Sequence, residues 1–416
     1  MVFVKVVDVP KYSDSFTIMT LKTIIHRLAA FLGLRRNIVY LLGLTMLMLT
    51  GEKLWDRYLP KYLEGVGATA LIIGALGFIQ NMLNAFWALP GGYFSDKFGH
   101  RKSFFLFNVM AIAGYLVAIS FTNWISVFIG MIFFSAWSSV SLPASMSLIT
   151  NSLGHSKTAM GVSMHSIIRR IPMAIGPIIG GVLIAKFGLI TGIKISFIIS
   201  IFFCLLGMIF QYQIKNTPVD YKKIHPFILW KQLDSRLKNL LVSDILIRFC
   251  EQIPYVFVVI WCLDVIKITP QKFGILSAIE MITAALIYIP VASFSDRIER
   301  KPFVVITFIF FTIFPVILYF SHNFTALIIA FVVRGLKEFG EPTRKAIILD
   351  LCPAEAKARG YGLYYFVRDF IVSFAAFLGG WLWKQNPAIN LITASIFGIT
   401  GTLLFSLYGK STSISK

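Results

Sequence analysis

Twelve long apolar runs fill almost the whole chain, and their length constrains the fold more than any motif does. They lie at roughly 38–60, 69–94, 102–121, 124–148, 160–185, 190–213, 239–262, 271–294, 303–321, 324–346, 358–383 and 389–409. A helix needs about 20 residues to cross the hydrocarbon of a bilayer. No run alternates with the period of a barrel strand, and backbone in lipid must satisfy its own hydrogen bonds, so each run is predicted to be a helix. Composition agrees. Of 416 residues, 57% are hydrophobic and 14% are charged, whereas an ordinary soluble domain is about 25% charged. The expected fold class is an all-α membrane protein with twelve transmembrane helices.

The runs repeat as two sets of six at an offset of about 200 residues. Gly92-Tyr93-Phe94-Ser95-Asp96-Lys97-Phe98-Gly99-His100-Arg101-Lys102 returns as Ala292-Ser293-Phe294-Ser295-Asp296-Arg297-Ile298-Glu299-Arg300-Lys301. Leu142-Pro143 returns as Glu341-Pro342, and Gly180-Gly181 as Gly379-Gly380. The expected organisation is two pseudo-symmetric six-helix bundles, 38–213 and 239–409, joined by a polar connector at 214–238. An N-terminal segment (1–37) and a short tail (410–416) complete the chain. Internal repeats of spanning helices are the architecture of transporters, whose path lies between the halves.

The net charge of +20 is a matter of topology, not of nucleic-acid binding. With a cytoplasmic N-terminus and an even number of spans, about 25 Lys and Arg fall inside and about six outside, the bias that orients membrane proteins. Both termini are then cytoplasmic. The basic connector is placed to meet anionic lipid. Residues 12–33 lack the cleavage site of a signal peptide. Ile18, Leu21, Ile24, Ile25, Leu28 and Phe31 can share one face of a helix lying in the interface, with a flexible tail as the alternative. The four cysteines have neither metal-ligand nor redox spacing and read as packing residues. Short loops and a Lys- and Ile-rich composition point to a bacterial inner membrane and a functional monomer.

The loop between the second and third runs resembles the signature of the major facilitator superfamily. That signature is a Gly, an Asp four residues on, and a Gly followed by basic residues. Here it reads Gly92, Asp96, Gly99, Arg101 and Lys102, with His100 as an extra residue; the second copy keeps Asp296, Arg297, Arg300 and Lys301. The resemblance covers all twelve runs and implies alternating access by two rocking bundles. Under it Asp96, Arg101, Asp296 and Arg297 are gating candidates, as are Glu341 and Arg344 at the inner end of the tenth run. Gly176-Pro177-Ile178-Ile179-Gly180-Gly181 in the fifth run looks like the glycine–proline element of proton-driven exporters in that family. Gly176, Pro177 and Gly180 therefore join the gating candidates, with a close helix–helix contact as the plain structural alternative. Pro172 departs from the fuller element.

Ionised groups at mid-membrane are costly and face a cavity or a partner. The repeat pairs Glu52 with Glu251 and Arg169 with Arg368, all some 12–22 Å into their helices at about 1.5 Å per residue. Opposed arginines at 169 and 368 can grip a carboxylate or phosphate through their planar forks. Glu52, Glu251 and Glu280 are candidates for carrying protons. Trp55, Tyr255 and Asn84 are candidates for contact with an organic substrate. Static ion pairing between helices is the competing reading for each acidic residue. No phosphate-binding loop, histidine-rich metal cluster or nucleophile–base arrangement occurs, so neither cofactor nor enzyme activity is expected. The expected function is secondary active transport of a small, charged, anionic organic solute, coupled to protons. The alternative is a proton-driven multidrug efflux pump.

Overall fold

In the computed structural model, residues 35–153, 158–215, 234–295, 299–352 and 357–409 are described. The chain is an all-α, multi-pass membrane protein. Its helices are α1 (Arg36–Gly65), α2 (Ala70–Phe98), α3 (His100–Ser120), α4 (Trp124–Leu153), α5 (Thr158–Phe187) and α6 (Leu189–Tyr212). After the connector come α7 (Ser235–Tyr255, continued by Val258–Val265), α8 (Pro270–Ser295), α9 (Lys301–Phe320) and α10 (Phe324–Leu336). Next are α11 (Glu341–Leu351), α12 (Lys357–Gln385) and α13 (Pro387–Tyr408). Among the described residues seven helices are each long and apolar enough to cross a membrane, and the bent α7 makes an eighth. The expected N-terminal interfacial helix, most of the 214–238 connector, the tail, Asp296 and Arg297 lie outside the described residues.

Large apolar side chains such as Phe202, Ile209, Leu286 and Leu403 are exposed on the outer faces of the helices. Lipid tails are as apolar as the interior, so burial alone does not hold these helices together; close packing does. The tightest approaches fall at repeated glycines. A Cβ on Gly180 of α5 would overlap the Leu54 carbonyl of α1, and one on Gly379 of α12 would overlap the Ile253 carbonyl of α7. Both members of each contact are 199 residues apart from their counterparts. The same interface is therefore built twice.

The contacts between the two halves are also duplicated. Helix α5 packs on α8, and α12 packs on α2. A Cβ at Gly274 would overlap the Pro177 carbonyl, and one at Gly74 would meet the Ala376 carbonyl at 3.0 Å. Gly181 against Pro270 and Gly380 against Ala70 repeat the pattern, at 2.5 and 2.8 Å. The Tyr58 hydroxyl adds a tie, lying 2.7 Å from the Pro177 carbonyl and 2.8 Å from the Pro270 carbonyl. Lys61 donates to Asp264 of the other half at 2.5 Å. All these contacts gather where α1 leads into α2 and α7 into α8, so the halves are closed at that end.

Two helices break regular geometry at equivalent places. Helix α1 tightens to a 3-10 turn at Asp56–Tyr58. Helix α7 bends by 43° between Tyr255 and Val258, just after Pro254. Proline removes a backbone donor and weakens the ladder there. Both irregularities sit at the depth of the central cavity.

Replacing Gly180 or Gly379 with Val should prevent tight α1–α5 or α7–α12 packing. The expected result is a large drop in the melting temperature of the purified protein, whereas Gly362→Ala, facing open space, should leave it unchanged. Equal stability of all three variants would show that these approaches are not what holds the bundles.

Candidate functional site

Between the halves lies a cavity of about 590 Å³, within the usual range of about 300–1,000 Å³ for small-molecule sites. Its wall carries seven Lys and Arg and five Asp and Glu side chains, drawn from both halves. Helices α1, α2, α4 and α5 form one side; α7, α8 and the segment from α10 to α11 form the other. Most of the charges are already engaged with each other.

On α1, Lys53 donates to Glu52 and to Asp56, both at 2.7 Å. In the second half, Glu251 accepts from Arg248 at 2.7 Å and from Lys337 at 2.8 Å. Glu280 is fully buried, with Arg334 at 3.3 Å, Lys337 at 3.4 Å and Arg57 at 3.4 Å. Arg57 belongs to the first half, so this last pair crosses the cleft. Arg170 to Glu338 at 3.4 Å crosses it again, and Asn81 donates to Gln252 at 3.1 Å. Arg334 and Glu338, four residues apart, are thus each drawn to another helix. Asp56 and Arg57 also line the cavity.

Arg169 lies on the cavity wall and makes no ion pair or hydrogen bond among the described residues. Glu52 is within its electrostatic reach but is bonded to Lys53. Its repeat partner Arg368 is placed differently. Arg368 is buried and absent from the cavity wall, held by Asp369 at 2.7 Å and by Asp244 at 3.5 Å. The two arginines are therefore not opposed across the cavity, a correction to the expectation from their spacing. Two carboxylates pull Arg368 into the second bundle; in the first bundle the equivalent positions are Thr45 and Arg170.

Trp55 touches the cavity edge, but it is 2% exposed and its ring packs on Tyr115, Phe134 and Phe197. Most of its surface is therefore spent on the core. Tyr255 is half-buried on the wall, with the guanidinium groups of Arg57 and Arg334 each 5.6 Å from its ring centroid. Cation–π attraction works at this separation. Asn84 is exposed to the cavity.

The gating candidates separate into groups. Asp96 stands in the last turn of α2. Arg101 lies with its guanidinium 3.8 Å from the ring centroid of Tyr212 on α6, a contact inside the first half. Glu341 and Arg344 belong to a buried network in the second half. Arg344 binds Asp244 and Glu341, and Glu341 also accepts from Arg248 at 2.7 Å. Gly176 packs on Lys53 of α1, while Pro177 and Gly180 take part in the close contacts described above.

Two residues of the wall, Lys53 and His165, and Asp244 in the buried network behind it are not evident as mid-span charges in the sequence. Lys53 is masked by the acids around it in sequence. Asp244 stands near the polar start of its run. His165 is a lone histidine among apolar neighbours. Aligning the halves at an offset of 199 puts Asp244 opposite Thr45, and Tyr364 opposite His165, and that was the signal available.

The sequence profile described as Major Facilitator Superfamily matches residues 41–242 and 240–413. An uncharacterized MFS-type transporter of Methanocaldococcus jannaschii is 26% identical over 384 residues, covering 88% of this chain and 93% of that one. The crystal structure of nucleoside transporter NupG superposes with a TM-score of 0.76 at 15% identity, over 90% of this chain and 100% of that one. A POT family transporter in complex with 5-aminolevulinic acid gives a TM-score of 0.75 at 13% identity, over 92% and 97%. With a profile that covers both halves and a fold held in common with solved transporters, the chain belongs to the Major Facilitator Superfamily: it is a secondary-active, alternating-access transporter of small molecules and not an enzyme.

Proposed function

We propose that this transporter carries a small organic anion, coupled to protons, through twelve spans arranged as two six-helix bundles with both termini cytoplasmic. Residues 38–213 and 239–409 are the bundles, 214–238 is the cytoplasmic connector, and the broken α10–α11 is one span. The duplicated glycine contacts and the two profile matches support that division. In this orientation the closed end is the outer one, and the cavity faces the cytoplasm.

The single observation that carries the anionic substrate is Arg169. A permanent cation on a partly dehydrated wall is costly without a counter-charge. Every other Arg and Lys on that wall is held by the protein or has contacts there. A substrate carboxylate supplies what Arg169 lacks. Tyr255 and Asn84 add an aromatic face and an amide for the organic part. The dense charge of the wall disfavours the efflux of lipophilic drugs.

Coupling is assigned to Glu280 and, behind it, Glu251 and Glu52. Glu280 is the fully buried acid among those that join the halves, through Arg57. A proton on it cancels the attraction across the cleft and lets the bundles separate there. Asp96, Arg101, Asp296, Arg297, Glu341, Arg344, Gly176, Pro177 and Gly180 are assigned to the moving interfaces or their anchors.

In sealed vesicles, a panel of organic acids, amino acids and siderophores assayed with and without a proton gradient should reveal an anionic substrate. Arg169→Ala should lower its transport by about 100-fold, the loss expected when a charge-assisted contact disappears. Arg368→Ala should instead lower the amount of folded protein. Wild-type transport by Arg169→Ala would remove that residue from the path.

Glu280→Gln should separate exchange from accumulation. Counterflow of labelled substrate is expected to persist while gradient-driven accumulation is lost. Accumulation at the wild-type level would exclude Glu280 as the coupling acid.

A further inference from the structure

The second half contains a finished version of a site that the first half leaves open. In the second half, Asp244 of α7 faces Tyr364 and Arg368 of α12. The Tyr364 hydroxyl donates to the Asp244 carboxylate at 2.9 Å, and Arg368 lies 3.5 Å from the same oxygen. All three side chains are buried. The first half has the same frame with different residues, at an offset of 199: Thr45 for Asp244, His165 for Tyr364 and Arg169 for Arg368. Thr45 and His165 still meet, at 3.5 Å between Oγ1 and Nε2. The guanidinium and the ring donor are retained, and the carboxylate is gone.

Two loose ends remain where that carboxylate is missing. Arg169 has no ion pair or hydrogen bond among the described residues, and the buried His165 has no partner at Nδ1. His165 is 1% exposed, and both residues line the cavity one helical turn apart on α5. The Thr45 hydroxyl can donate to Nε2, which leaves the ring proton on Nδ1 as a free donor. A buried donor without a partner costs about 1–3 kcal/mol. An arginine fork and an imidazole N–H, four residues apart on one helix and both lining the cavity, offer donors for the two oxygens of a carboxylate.

The surrounding charges do not fill the gap. On α1, Glu52 and Asp56 are occupied by Lys53. On α5, Arg170 is turned to Glu338 of the second half. On α8, Glu280 is held by Arg57, Arg334 and Lys337. Among the described residues, α4 presents Phe134 and Ser135 to the cavity and α6 presents nothing.

We propose that the carboxylate of the substrate binds between Arg169 and His165, taking in the first half the part that Asp244 plays as built-in counter-ion in the second. This deepens the anionic-substrate reading above and rests on it. His165 becomes a specificity residue: it selects a carboxylate with a second oxygen free to accept a hydrogen bond. The asymmetry also explains why only one of the two repeated arginines serves transport. One carries its own anion, and the other receives it from solution.

The test uses the full chain in nanodiscs, with acetate and glutarate as probes. Phenylglyoxal modification of each arginine is followed by peptide mass spectrometry. In wild type, both probes should protect Arg169 and leave Arg368 unaffected. His165→Ala should raise the half-protecting concentration by about tenfold, the value of one charge-assisted hydrogen bond. His165→Tyr, which copies the second half, should stay close to wild type. Thr45→Asp should slow modification of Arg169 without any probe and abolish further protection. If neither probe protects Arg169 in wild type, the anionic-substrate reading fails and this inference with it. If protection is present and both His165→Ala and Thr45→Asp retain it, only this inference is overturned. Should Thr45→Asp fail to fold, as judged by its melting curve, the two His165 variants decide the matter alone.

Discussion

A charge inside a membrane protein needs a counter-charge close by, because neither lipid nor a dry interior solvates it. That requirement organises this molecule. Among the described residues, seven Asp, Glu, Lys and Arg side chains are buried: Asp244, Glu280, Arg334, Lys337, Glu341, Arg344 and Arg368. All stand in the second half, and each lies within an ion-pair network. Removing one partner from such a pair typically costs about 3–5 kcal/mol, because the other charge is then stranded. The second half is thus held by electrostatics as well as by packing, and its network reaches the cavity through Glu251, Glu280 and Lys337.

The first half follows a different rule. Six of its charges, Glu52, Lys53, Asp56, Arg57, Arg169 and Arg170, sit on the cavity wall, and Arg169 among them makes no ion pair among the described residues. The core of this bundle is aromatic instead, with Trp55, Tyr115, Phe134 and Phe197 packed edge and face. A rigid apolar core behind a charged wall keeps the wall's geometry fixed. The two halves share a frame but differ in their charges: the buried ones of the second half are paired within it, and Arg169 of the first half is not.

Packing without a hydrophobic driving force explains the symmetry of the closed end. Glycine is required where carbonyls approach another helix, and the contacts of Gly180, Gly181 and Gly74 recur 199 or 200 residues later at Gly379, Gly380 and Gly274. Four helices, α2, α5, α8 and α12, carry the contacts between halves. Small residues there let one surface slide or part from another without leaving large cavities. The ion pairs Arg57–Glu280 and Lys61–Asp264 and the Tyr58 hydroxyl lie across the same seam. They are polar, and polar ties can be replaced by water when the seam opens.

Much of this was legible in the chain itself. The lengths of the apolar runs declared helices, and the offset two halves with equivalent Glu52 and Glu251, both of which line the cavity. The offset misled in one respect: equal position in the repeat did not mean equal surroundings. Arg169 and Arg368 share a place in the frame, yet Asp244 and Asp369 draw Arg368 inward while Arg169 remains on the wall. Trp55 likewise shares the depth of Tyr255 but turns into an aromatic core. Helix period and hydrophobic length are local properties, so the helices, their repeat and the residue types at mid-depth follow from the chain alone. Which charges cancel and which stay available is settled by the three-dimensional fold. Ion pairing in a low-dielectric interior depends on distances of a few ångströms between helices far apart in the chain.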